Sequence, residues 1–148
     1  MPPRLALLSL ALFMGAAAPL AGQATAPPPA AAEVVKSGFE AYRAHGNGAA
    51  VDAWTAGSVL ATDATVKPNM LQALNQIEAV YGSYQGFDVL AVVKLGGHGE
   101  RDFVAIRYEL GQAFAYFDVY RAGAGSLITA FQYNTKAQEI LPASWWGR

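Results

Sequence analysis

The chain has 148 residues, 53% hydrophobic and 14% charged, with a formal net charge of −1. That balance excludes a broadly basic nucleic-acid face. It contains no cysteine, which excludes disulfides, thiolate catalysis and cysteine metal sites.

Residues 5–18 carry no charge and one hydroxyl, Ser9. Arg4 stands before them, and Pro19, Ala21, Gly22 and Ala24 follow. A basic start, an apolar run and a small-residue exit predict a signal peptide over residues 1–24, cleaved after Gly22 or Ala24. The run is shorter than the roughly 20 residues a membrane-spanning helix needs. With no cysteine behind it and no twin arginine, the general secretory route is expected. The mature protein is then secreted or periplasmic, with no membrane span. Residues 25–32, TAPPPAAA, read as a stiff linker in which nothing is expected to pack. One domain is expected over residues 33–142, followed by a short tail at 143–148.

Residues 33–44 predict a helix, with Val35, Phe39 and Tyr42 at helical spacing and Gly38 on the same side. The run His45, Gly46, Asn47, Gly48 stops it. Asn47 is then placed to cap a second helix over residues 49–56, anchored by Val51 and Trp54. A third helix is expected over residues 67–81. Pro68 suits its first turn, and Met70, Leu74, Ile77 and Tyr81 form one stripe. Beyond Gly86 the period falls to two. Strands are expected over residues 87–95, 101–110, 113–121 and 127–134, joined by glycine-rich turns. The order is α+β: three N-terminal helices packed on a curved four-stranded antiparallel sheet.

A type II′ turn at Gly111 and Gln112 would pair Leu110 with Ala113, Tyr108 with Ala115, Ile106 with Phe117 and Val104 with Val119. That face is apolar and should meet the helices. The opposite face would pair Phe103 with Tyr120, Ala105 with Asp118, Arg107 with Tyr116 and Glu109 with Phe114. An Arg107–Asp118 ion pair is expected there. Phe103, Phe114, Tyr116 and Tyr120 beside Arg107 and Asp118 form an aromatic patch that something should cover. A second copy of the chain, an envelope protein partner, or the tail with Trp145 and Trp146 would serve. On the inner side, Tyr42, Trp54, Tyr81 and Tyr108 either line a pocket for a small apolar ligand or fill the core with their polar tips hydrogen-bonded.

No catalytic residue, metal site or cofactor is assigned. His45 and His98 sit among glycines, without carboxylates at metal-ligand spacing. Asp88, Asp102 and Asp118 lie on separate strands. The glycine-rich turn at residues 96–99 leads into a strand, so it offers no helix N-terminus to a phosphate.

Tyr81-Gly82 leading to Tyr84-Gln85-Gly86-Phe87 resembles small exported domains of the nuclear-transport-factor-two-like (cystatin-like cone) superfamily. So do Phe114-Ala115-Tyr116-Phe117 and the ending from Phe131-Gln132-Tyr133-Asn134-Thr135-Lys136 to Glu139-Ile140-Leu141-Pro142. The resemblance covers residues 33–142. It implies a cone-like half-barrel, a pocket between sheet and helices, and dimerisation through the outer sheet face. Enzymes of that superfamily place an Asp with a His or Tyr inside the cone, and no such pair is matched here residue by residue. The expected function is an exported, non-enzymatic domain that self-associates or binds a protein through its sheet. The alternative is a small-ligand binder or enzyme using the interior.

Overall fold

The computed structural model describes residues 29–123 and 125–147. The expected signal peptide, and the linker up to residue 28, lie outside the described residues. Three helices come first: α1 over Glu33–His45, α2 over Asn47–Thr55 and α3 over Val66–Tyr81. Four strands follow: β1 over Tyr84–Leu95, β2 over Gly99–Tyr108, β3 over Gly111–Ala122 and β4 over Gly125–Asn134. They form one antiparallel sheet in the order β1-β2-β3-β4. Single 3₁₀ turns occupy Val59–Ala61, Ala137–Glu139 and Ala143–Trp146.

α1 ends where its stripe ends. Val35, Phe39 and Tyr42 are buried, and Gly46 turns the chain away at φ 86°. Asn47 does not cap α2 as expected, because Gly46 takes that place. The Asn47 amide donates instead to Asn75 Oδ1 (2.7 Å) and Glu78 Oε2 (3.1 Å), tying the start of α2 to α3.

The helices cover one sheet face. Phe39, Trp54, Leu74, Ile106, Phe117 and Ile128 are fully buried there. Phe39 stacks on Phe87 with ring centroids 4.1 Å apart and meets the edge of Trp54 at 5.0 Å. Trp54 packs on Phe117 and Phe131. Its indole N–H donates to the Val35 carbonyl at 3.2 Å, so burial leaves no donor unpaired. Such contact requires Gly38: a Cβ at that position would overlap the indole.

The faces of the central hairpin are as expected, but the register is not. Ile106 pairs with Ala113, Val104 with Ala115, and Phe103 with Tyr116. The turn is Glu109-Leu110, and Leu110 is 77% exposed rather than buried. Two causes lie in the preceding connection. The Leu110 amide donates to the Tyr81 carbonyl (2.8 Å) and the Glu109 amide to the Ser83 carbonyl (3.2 Å), satisfying the turn. Gly111 admits the Tyr81 ring, which a Cβ there would meet at 2.5 Å. Gly111 is therefore needed for close approach and does not form the turn. The displacement along β3 is even, so every residue that stays within the two strands keeps its face.

The end of the linker also departs from expectation. Ala31 is buried against the core, and the Ala32 amide donates to Asp102 Oδ2 at 2.7 Å. A methyl group is small enough to fit there, and the carboxylate satisfies an amide that the start of α1 would leave free.

Candidate functional site

Three of the four inner aromatics come together. Tyr42, Trp54 and Tyr108 are buried, with the Tyr42 and Tyr108 hydroxyls 3.5 Å apart. Tyr84, which sequence reasoning did not single out, stacks on Tyr42 at 4.3 Å and closes the group. Burial pushes the Tyr42 phenol well above its ordinary value, and the Tyr108 phenol up to about 12. All these hydroxyls stay protonated at neutral pH, so none is a ready base. Tyr81 stands apart, lining a surface groove of about 270 Å³ with Ile77, Val80 and Tyr133.

The outer face reads as rows across the strands. Asp88, Ala105 and Phe114 make one row, and Ala91, Phe103 and Tyr116 the next. The C-terminal tail lies over these two. Ile140 and Leu141 bury themselves with Phe103, and Phe114 and Tyr116 pack against that cluster. The Trp145 ring stands 5.6 Å from that of Phe103. The aromatic patch is thus covered in part by its own chain.

The third row is an ion pair, with different partners from those expected. Asp118 accepts from Arg101 Nε (2.6 Å) and Nη2 (2.7 Å), and the Arg101 guanidinium lies 4.0 Å over the Tyr116 ring. Arg107 pairs with Asp88 at 3.0 Å instead. The register accounts for both changes, since it sets Arg101 opposite Asp118 and Arg107 opposite Gly86. The hydrogen bonds to Asp118 hold the Arg101 guanidinium above its ordinary pKa.

The last row is bare. Leu95 and Tyr120 flank Gly99 there, and Val93 lies beside them, each 42–47% exposed. His98 approaches Tyr120 at 6.2 Å and is exposed, as is His45. Among the described residues, no three His, Asp or Glu side chains gather as a metal ion would need.

Two acids are buried on the inner face: Asp102, expected only as one of three scattered strand aspartates, and Glu100, which was not anticipated. Glu100 and Asp102 continue the period-two face of Val104 and Ile106, and that spacing could have flagged them. Glu100 holds Lys94 and Arg121, and these hydrogen bonds keep its carboxyl below the usual range. The four residues Glu33, Ser37, Glu100 and Arg121 border a surface cleft of about 650 Å³. Asp102 is fully buried, with Oδ1 lacking any partner. Burial raises its pKa, against the Ala32 hydrogen bond. A raised folded pKa means that the native state binds the proton more tightly, so this group costs stability as pH rises through that value. Asp102→Asn should therefore stabilise the domain at pH 8 relative to pH 4. Denaturant midpoints at the two pH values check this. An equal change at both would contradict it.

Comparison with family models, curated proteins and solved structures finds no match to this chain.

Proposed function

We propose that the chain is an exported, non-enzymatic domain of the nuclear-transport-factor-two-like kind. On this reading its helices and curved sheet form a cone-like half-barrel, and it self-associates through the outer sheet face. The observation that carries the proposal is the bare row of Leu95 and Tyr120 with Val93 beside it. A strand pair ends there in exposed apolar side chains, next to a region where the same face is already sealed by the tail. Trp145 and Trp146, 42% and 44% exposed, extend the apolar area beyond the sealed part. Exposed apolar groups concentrated on one face mark an association surface.

The interior reading has less support. Trp54, Ile106 and Phe117 are fully buried and Met70 nearly so, and they belong to one packed cluster. A ligand would have to displace aromatic contacts already made.

Light scattering on residues 25–148 tests the proposal. The wild type should have twice the mass of the chain, and the doubly substituted Leu95→Ser, Tyr120→Ser protein should have the single mass. Both exchanged side chains are half exposed, so folding should survive. A wild type that remains monomeric at high concentration would sink the self-association reading. A dimer unaffected by the double substitution would place the contact elsewhere and sink this face.

A further inference from the structure

At the edge of β1, two arginines from different elements converge on one point. Gly86 lies buried between them at a register shift in the strand, with φ 146°, a region that favours glycine. A Cβ at Gly86 would stand 2.8 Å from Arg107 Nη2 and 3.6 Å from Arg43 Nη2. The missing Cβ therefore makes room for the Arg107 guanidinium and lets that of Arg43 come up beside it. Arg107 reaches this point from β2 across the strand pair, and Arg43 reaches it from the last turn of α1.

Only one of their two charges is paired. Asp88 pairs with Arg107 at Nε, and Arg107 Nη2 lies beside Gly86. No described carboxylate lies within 4.0 Å of Arg43. A third group completes the set. The Tyr84 hydroxyl is buried and without a hydrogen-bond partner. Burial pushes its pKa up to about 12, and the positive charges of Arg43 and Arg107 act against that rise. A buried hydroxyl with no acceptor costs stability unless something arrives to accept. Two guanidiniums also repel each other, and an anion between them offsets that repulsion.

We propose that Arg43, Arg107 and the Tyr84 hydroxyl bind a phosphate-class oxyanion at the β1 edge. Three donors coming from three elements suit an acceptor with several oxygens, and guanidinium nitrogens match phosphate oxygens in geometry. The Tyr84 proton completes the site as a neutral donor. The site is independent of the bare Leu95–Tyr120 row, which lies at the other end of the sheet's strand pairs.

Calorimetric titration of the mature chain with inorganic phosphate, at constant ionic strength, tests this. Binding should be saturable. It should weaken roughly tenfold in each of Arg43→Gln and Arg107→Gln, about 1.4 kcal/mol for each lost charged contact. Arg43→Lys should recover part of the loss. Tyr84→Phe, which keeps the stack on Tyr42, should weaken binding less. Glycerol phosphate as a second titrant separates an esterified source from free phosphate, and binding of either supports the site. No heat from either titrant would overturn the proposal, as would phosphate binding that is equal in the wild type and both glutamine variants. Preference for acetate over phosphate would overturn the assigned class. Both arginines are exposed, so loss of fold is not expected, and a circular dichroism melt of each variant verifies that.

Discussion

Gly38→Ala is expected to destabilise the domain by about 2–4 kcal/mol, against the sign of helix propensity, which favours alanine by about 1 kcal/mol. The reason is local. Gly38 faces the Trp54 indole, and an added methyl would overlap it. Trp54 cannot retreat freely, because Phe39, Phe117 and Phe131 surround it and its N–H is held by Val35. Either α1 lifts from the core or the indole leaves its rotamer. A chemical denaturation midpoint measures the loss. A double-mutant cycle with Trp54→Leu isolates its cause. The smaller side chain should absorb the new methyl, so the Gly38→Ala penalty should largely vanish in that background. An undiminished penalty would mean that the backbone, not the indole, sets the cost.

Removing residues 137–148 is expected to have an effect of similar size and a different character. Ile140 and Leu141 are buried on the outer face, and each fully buried side chain of that type contributes about 1.5–3 kcal/mol. The freed backbone entropy returns part of this, so a net loss of about 2–4 kcal/mol is expected. Phe103 would be laid bare, and Phe114 and Tyr116 with it. The truncated chain should therefore form larger species than the full chain at equal concentration. Thermal melts and light scattering measure the two effects together. A truncated chain with unchanged melting and mass would show that the tail contributes nothing to the face it lies on.

Much of the fold was readable because apolar spacing reports directly on burial. Val35, Phe39 and Tyr42, then Met70, Leu74 and Ile77, announced the buried sides of two helices. The inner face of the sheet followed from period two alone. What spacing does not report is phase along a strand pair. Gly111 looked like a turn residue because glycine suits turns, yet its lack of a side chain serves contact with Tyr81. That contact is far from Gly111 in sequence and leaves no periodic trace. The ion pairs on the outer face inherited the error, so Arg107 was assigned the acid that Arg101 holds. The grouping of Arg43, Tyr84 and Arg107 was illegible for the same reason. It arises where α1 crosses the sheet edge, and each residue taken alone is ordinary. The aromatic face itself was legible, and the tail that lies on it was one of the coverings the pattern allowed.

The plain strand order has a kinetic consequence. Each strand pairs only with its neighbours in the chain. No pairing waits for a distant segment, so each step of sheet assembly closes a short loop at small entropic cost. The chain also has no thiols to oxidise or reshuffle. Folding would then be limited by how fast α1 and its aromatic stripe settle onto a ready-made meander, with no thiol chemistry to slow it.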